Sequence, residues 1–141
     1  MPEVSLLLDT DILIDALRGV DQAGAWLATI EDLVIGLPVL VRMEILLGAR
    51  EVQEQRFLAD ELSHYVILHL ESGDSEKAQQ WFEQFHLSDG IGILDCLIAA
   101  VASRIGEPFY TFNLKHFAVI PGLDVRMPYP RPGVPSASEQ R

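Results

Sequence analysis

The sequence has one cysteine, few basic residues and no long apolar run. A lone Cys96 excludes an internal disulfide framework and is typical of a protein from a reducing compartment, where we interpret it as a small core residue. No apolar run approaches the roughly 20 residues of a membrane helix. The first residues also lack the basic-then-apolar pattern of a signal peptide. We therefore expect a cytoplasmic protein with no membrane segment.

Basic residues are outnumbered, with 10 Lys and Arg against 21 Asp and Glu and a net charge of −11. Such an excess of acids argues against broad nucleic-acid binding, which depends on neutralising phosphates. The argument fails where acids hold divalent cations, because a bound cation reverses the local field. Most of these acids fit solvated helix faces.

Short apolar segments alternate with helical patterns along the 141 residues. The apolar segments predict strands at residues 4–8, 33–36, 65–68, 109–111 and 124–126. The clearest helical pattern covers residues 94–105 and ends at Gly106. This alternation predicts an α/β fold, with a short, mainly parallel sheet covered on both faces. We expect one domain at residues 1–128 and a Pro-rich flexible tail at residues 129–141.

Four polar side chains stand out against apolar surroundings. Asp9 directly follows the first predicted strand, and Asn113 follows the fourth. Ligands bind at the edge formed by the carboxyl ends of parallel strands. Glu44 and Asp95 lie in helices that are apolar nearly all round, where an unpaired carboxylate costs several kcal/mol. One shared cluster would explain all of these positions.

Each acid also has a simpler interpretation. Asp95 is favourable at the positive end of its helix dipole. Glu44 could pair with a nearby arginine, although the spacings do not align on one helix face. Asp11 could cap the first helix, and Asp15 could be a solvated charge.

Clustered carboxylates favour a hard divalent cation such as Mg²⁺ or Mn²⁺. A zinc site is disfavoured because no His or Cys lies at ligand spacing. We interpret the scattered His64, His69 and His86 as structural. A cation in such a cluster would activate a water and stabilise the leaving oxygen of a phosphodiester.

Three segments make the chain resemble the PIN-domain ribonucleases, in particular the VapC toxins of VapBC toxin–antitoxin pairs. They are LLLDTDILID near the start, MEILLGAR around Glu44, and ILDCLIAAVASRIGEPFYTFNLKHFAVIPGL. The last is the most specific, because it combines D-x-L-I-A-A with T-x-N-x-K-H-F. The resemblance extends from about residue 5 to residue 129. It implies a PIN-like three-layer α/β/α sandwich and a Mg²⁺- or Mn²⁺-dependent endoribonuclease.

The resemblance also implies roles for individual residues. Asp9, Glu44 and Asp95 would be the acidic metal ligands, with Asn113 at a fourth position where relatives carry Asp or Asn. The residues beside the metal or in contact with RNA would be Thr10, Asp11, Thr111 and Lys115. A homodimer and a small VapB-like antitoxin that obstructs the site are implied too. A basic antitoxin segment would complement the acidic cleft.

Two departures from the family pattern bear on the site. Asn113 removes one negative charge, which weakens the case for a second metal. The segment LPVLV before Glu44 offers no Ser or Thr where relatives often have one, which puts the hydrogen bonding around Glu44 in question. Lys115 and His116 could contact substrate phosphate, or His116 could simply pack around Phe117.

Two other functions remain open from the sequence. One is a non-catalytic PIN-fold module that binds RNA or protein, which Asn113 and the net charge favour. The other is a haloacid-dehalogenase-type phosphotransferase, in which Asp9 and Asp11 would form the D-x-D nucleophile and acid/base pair. The second leaves Glu44 and Asp95 unexplained. Magnesium-dependent RNA cleavage would exclude the phosphotransferase as the main activity, and a phospho-aspartate at Asp9 would favour it. Asp9→Asn discriminates the non-catalytic module from the nuclease.

Overall fold

The structure is a computed structural model that describes residues 3–140. Its strands are β1 (Leu6–Leu8), β2 (Ile35–Pro38), β3 (Val66–Leu68), β4 (Phe109–Tyr110) and β5 (Val125–Arg126). Its helices are α1 (Thr10–Leu17), α2 (Asp21–Thr29), α3 (Val39–Leu47), α4 (Val52–Leu62), α5 (Ser72–Asp89), α6 (Ile93–Ile105) and α7 (Leu114–Phe117). None of these helices is long and apolar enough to cross a membrane.

The five strands form one parallel sheet in the order β3-β2-β1-β4-β5. The chain runs outward from β1 to β3, then returns past β1 to β4, so the direction of winding reverses. Because parallel crossovers are right-handed, this reversal puts α1–α4 on one face and α5–α7 on the other. The predicted three-layer α/β/α sandwich with a parallel sheet is confirmed.

The central strand explains why the first segment has no alternating pattern. Leu6, Leu7 and Leu8 are all buried, because helices cover both faces of β1. On one side Leu7 pairs with Gly36, and on the other it pairs with Phe109. β1 therefore lies at the centre of the core. Asp9, which directly follows β1, is placed at the edge of that core.

Several element boundaries differ from the sequence prediction, among them those of β2 and α5. β2 lies at Ile35–Pro38 instead of residues 33–36, because its ladders to β1 and β3 run from Ile35 to Pro38. α5 begins at Ser72, although the sequence predicts its start at Asp74 or Ser75, which are residue types that cap helices. Asp74 instead occupies the third helical position, where its carboxylate accepts from the Glu71 backbone N–H in a capping box.

Residues 129–140 of the carboxyl-terminal tail form no helix or strand, yet some of them pack on the domain. The buried Tyr129 donates its hydroxyl hydrogen to Asp15 Oδ2 at 2.8 Å, and Arg131 Nη2 lies 2.9 Å from Asp15 Oδ1. The interpretation of Asp15 as a solvated charge is therefore wrong, since its side chain is only 5% exposed. The boundary at residue 128 and the flexibility of the remaining tail stay predictions.

Candidate functional site

The carboxyl ends of β1 and β4 lie side by side where the winding of the sheet reverses. The Asp9 backbone N–H donates to Tyr110 O at 2.9 Å, and the Thr111 backbone N–H donates to Arg126 O at 2.9 Å. These bonds continue the ladder for one residue beyond the strands. They bring Asp9 and Thr111 to the one edge where open α/β sheets bind ligands.

Asp9 is held by two hydrogen bonds. It caps α1, with Oδ1 accepting from the Thr10 backbone N–H at 2.8 Å and Oδ2 accepting from the Thr111 hydroxyl at 2.7 Å. Both bonds favour the charged carboxylate. Burial nevertheless raises the Asp9 pKa from 3.8 to about 6, and the charges of Asp11 and Asp95 add to this effect. The hydrogen bonds from Thr10 and Thr111 therefore do not fully offset the cost of burying the negative charge of Asp9.

Glu44 projects from α3 toward the same edge. Its Oε1 accepts a hydrogen bond from the Thr10 hydroxyl at 3.1 Å. Burial is the main cause of its raised pKa, and the charges of Asp95 and Asp11 raise it further. Thr10 thus bonds to Asp9 through its backbone and to Glu44 through its side chain. The hydroxyl that the segment before Glu44 lacks comes from α1 instead.

Asp95, in the first turn of α6, reaches the cluster through a histidine. Its Oδ2 lies 3.3 Å from His116 Nδ1, and the two side chains are about equally exposed, at 29% and 31%. The same His116 nitrogen lies 2.8 Å from Asn113 Nδ2, and the Asn113 backbone N–H donates to Thr111 Oγ1 at 3.0 Å. Asn113 therefore faces His116 and Thr111.

The structure brings together all four residues that the sequence singles out. Their polar contacts form a chain around one edge of the sheet, in the order Glu44, Thr10, Asp9, Thr111, Asn113, His116 and Asp95. His116 Nδ1 accepts from Asn113 when it is unprotonated and donates to Asp95 when it is protonated, so these two contacts are alternatives as hydrogen bonds. His116 was not predicted from the sequence to lie beside Asp95. Its spacing of three residues from Asn113, at the start of α7, was the available signal.

Asp11 and Lys115 lie at the rim. Asp11 is exposed, and its Oδ2 is 3.7 Å from Arg131 Nη1. Lys115 is also exposed, and its backbone N–H donates to Gln140 Oε1 at 2.9 Å. Both side chains are therefore accessible to a ligand that approaches from solvent.

The donor set fits a hard divalent cation by its chemistry. Carboxylate oxygens predominate. Burial, with a smaller contribution from the neighbouring acids, raises the pKa values of Asp9 and Glu44, as expected where positive charge is lacking. Within residues 3–140, no three His, Cys, Asp or Glu side chains are close enough as they stand to share a metal ion. Each carboxylate is instead held by its own neighbour: Thr111 for Asp9, Thr10 for Glu44 and His116 for Asp95.

A groove of about 300 Å³ adjoins Glu44. It runs between α1, α3 and α4, with apolar walls from Ile14, Phe57 and Leu58 and a second carboxylate from Glu54. Phe57 is 57% exposed, which is unusual for so large an apolar side chain. Arg18 also lines the groove, which thus combines apolar surface with two carboxylates and one basic side chain next to the site.

Comparison with known proteins identifies similar chains. A family model described as "PIN domain" matches residues 6–123. Ribonuclease VapC19 from Mycobacterium tuberculosis is 32% identical over 127 residues, which cover 87% of this chain and 98% of that relative.

Solved structures with a similar fold include chains from two other bacteria. A toxin–antitoxin complex from Klebsiella pneumoniae is 27% identical, with a TM-score of 0.72 over 89% of this chain and 98% of that chain. VapBC2 from Rickettsia felis, bound to a DNA fragment from its promoter, is 22% identical, with a TM-score of 0.73 over 88% and 98%. The second likeness shows the fold alone.

Proposed function

The chain belongs to the PIN domain family, and we propose that it is a VapC-type toxin, an endoribonuclease that hydrolyses RNA phosphodiester bonds with Mg²⁺ or Mn²⁺. The observation that carries this proposal is the convergence of Asp9, Glu44 and Asp95 at the edge where β1 and β4 end. Burial, and to a smaller extent the charges of neighbouring acids, raises the pKa values of Asp9 and Glu44, so keeping these carboxylates charged at this edge costs stability.

In this proposal Asp9, Glu44 and Asp95 hold the cation, which supplies Lewis acidity and an activated water when it is bound. The chain's own hydrogen bonds orient these ligands. Thr111 fixes the Asp9 carboxylate, and Thr10 fixes that of Glu44. Such outer contacts contribute strongly, because losing one typically costs about 10–100-fold in metal affinity or activity.

Asn113 has a different part from the three acids. Its side-chain amide faces His116, and His116 in turn faces Asp95. We assign Asn113 to the fourth position of the site, where it orients His116 and adds no charge. Lys115 is exposed and lies two residues after Asn113, and we assign its side chain to a phosphate of the RNA.

The proposed partner is a VapB-like antitoxin. The similarity to a chain of the toxin–antitoxin complex from Klebsiella pneumoniae, at 27% identity, supports this, and so does the groove beside Glu44. An antitoxin segment with apolar and basic side chains would match its apolar walls and its two carboxylates. The homodimer and the cytoplasmic location stay predictions from the sequence.

The test is Asp9→Asn, with Asp32→Asn as the matched control, because Asp32 is exposed in a turn away from the site. Purified proteins are incubated with total RNA in Mg²⁺, in Mn²⁺ and in EDTA. We expect cleavage by the wild type and the control only with metal. The Asp9 variant should lose more than about 100-fold, since even outer contacts of a ligand contribute about 10–100-fold. Equal cleavage by the Asp9 variant, or cleavage in EDTA, would contradict the proposal.

A non-catalytic RNA-binding or protein-binding module is the second candidate. The amide of Asn113 favours it, because a carboxylate there would add a further anionic ligand. RNA binding by the wild type without cleavage in either metal would support this candidate. Cleavage that disappears in Asp9→Asn would exclude it.

A further inference from the structure

Residues 129–140, which we call the strap, contact both α1 and the turn that follows β4. Both carboxylate oxygens of the buried Asp15 accept hydrogen bonds from the strap, Oδ2 from Tyr129 and Oδ1 from Arg131. The Arg131 guanidinium also lies 3.7 Å from Asp11, one helical turn earlier. Because α1 begins beside Asp9 and Thr10, the strap is attached to the helix that carries half of the site.

The strap also holds the turn between β4 and α7. The Tyr129 ring packs edge-on against Phe112, with centroids 5.0 Å apart, and the Arg131 guanidinium lies 4.9 Å from the centre of the same ring. At the far end, Gln140 Nε2 donates to Phe112 O at 3.1 Å, and Gln140 Oε1 accepts from the Lys115 backbone N–H at 2.9 Å. These contacts bracket Asn113 on both sides.

α1 and the β4–α7 turn are far apart in the sequence. The site nevertheless needs a fixed position of one relative to the other, because each carries some of its residues. Within the site they are joined by the hydrogen bond from Thr111 to Asp9. The strap provides a second connection, through one arginine that touches both partners: the carboxylates of α1 and the ring of Phe112. Arginine suits this role, since its planar fork binds carboxylates while its face stacks on an aromatic ring.

We propose that the strap aligns the two halves of the site and that Arg131 is a positioning residue, acting through Asp11, Asp15 and Phe112. This inference rests on the proposed function for its catalytic readout. Misplacement of a reacting group by about 1 Å can cost about 100-fold in rate. Loss of Arg131 should therefore lower kcat about 10-fold or more and leave KM within about 2-fold.

The experiment compares Arg131→Met with Arg131→Lys, which keeps the charge, and with Gln140→Ala, which frees only the far end of the strap. Arg50→Met is the matched control, because Arg50 is exposed in the loop before α4 and pairs with Glu54, four residues later. Each full-length protein is assayed below its melting temperature for kcat and KM, for Mn²⁺ affinity by calorimetry, and for amide exchange at Lys115. We expect Arg131→Met and Gln140→Ala to speed Lys115 exchange about 10-fold.

We also expect Arg131→Met to lower kcat and weaken Mn²⁺ binding, and Arg131→Lys to restore part of both. A variant that melts earlier but keeps wild-type kcat, Mn²⁺ affinity and Lys115 exchange would overturn the proposal, since the strap would then be only structural. If the wild type cleaves no RNA, the proposed function fails separately. Exchange and Mn²⁺ affinity still decide the strap in that case, and unchanged values would overturn it.

Discussion

Replacing Asp9 by Asn should stabilise the metal-free protein, although it removes a side chain that we assign to catalysis. Burial raises the Asp9 pKa from 3.8 to about 6, so keeping this group charged in the folded state costs about 3 kcal/mol. Asn removes that cost. It also loses one acceptor for Thr10 or Thr111, at about 1 kcal/mol. The net gain is about 2 kcal/mol, or about 4–8 °C in melting temperature.

The sign of the pH dependence follows from the same shift. A carboxyl whose pKa is higher in the folded state binds its proton more tightly there, so its contribution to stability is fully present below the unfolded value of 3.8. That contribution is lost as the pH rises through about 6. The advantage of Asp9→Asn should therefore be full above pH 7 and should vanish near pH 3.5, where the wild-type group is already neutral.

Urea unfolding in EDTA at several pH values measures this difference directly, since the other titrating groups cancel between variant and wild type. Asp32→Asn serves as the control and should stay within about 0.5 kcal/mol of wild type, as exposed substitutions do. Added Mn²⁺ should reverse the order by stabilising only the wild type. A loss of stability in Asp9→Asn at pH 7.5 in EDTA would refute the desolvation argument.

Three further substitutions have defined outcomes. Thr111→Val removes a donor to Asp9 and an acceptor for the Asn113 backbone, and should cost about 1–3 kcal/mol in urea unfolding and weaken Mn²⁺ binding in calorimetry. Asn113→Asp adds a charge to the acidic cluster, so thermal melts should show lower stability in EDTA and a larger gain with Mn²⁺. Tyr129→Phe deletes the buried hydrogen bond to Asp15 and should lower unfolding stability by about 1–3 kcal/mol.

Much of the fold is local enough to be predicted from the sequence. The uniformly apolar β1 predicts a strand covered on both faces, and its three leucines are buried in that way. The spacing of apolar residues in α6 predicts a helix that ends at Gly106, whose φ of 79° is accessible to glycine at little cost. The start of β2 was missed because only pairing with neighbouring strands defines it.

The acidic part of the site was predictable for a different reason. Glu44 and Asp95 are anomalous in their own helices, so the sequence itself signals that something else accounts for them. The residues that connect these acids to the rest of the site are not anomalous in the sequence. Thr10 and His116 look ordinary in the sequence, and only the fold shows that one bonds Glu44 and the other faces Asp95.

Asp15 shows most clearly what local reasoning misses. Its partners Tyr129 and Arg131 lie 114 and 116 residues away, inside a segment whose prolines are typical of a loose tail. Proline restricts the chain without preventing side chains between prolines from docking, so composition alone does not reveal an anchored segment. Three residues anchor the tail by bonding to polar groups of the domain. Tyr129 and Arg131 bond to the Asp15 carboxylate, and Gln140 bonds to the Phe112 backbone carbonyl.

The net charge of −11 and the proposed RNA substrate are compatible once the charges are located. In the proposed function RNA would approach the edge where β1 and β4 end, and there the local field would depend on whether a divalent cation offsets the carboxylates. Arg131 lies at this rim but is already engaged by Asp11 and Asp15, so it adds little free positive charge. Binding of RNA should therefore depend on the metal more than on arginine and lysine, since few basic side chains remain to neutralise phosphates.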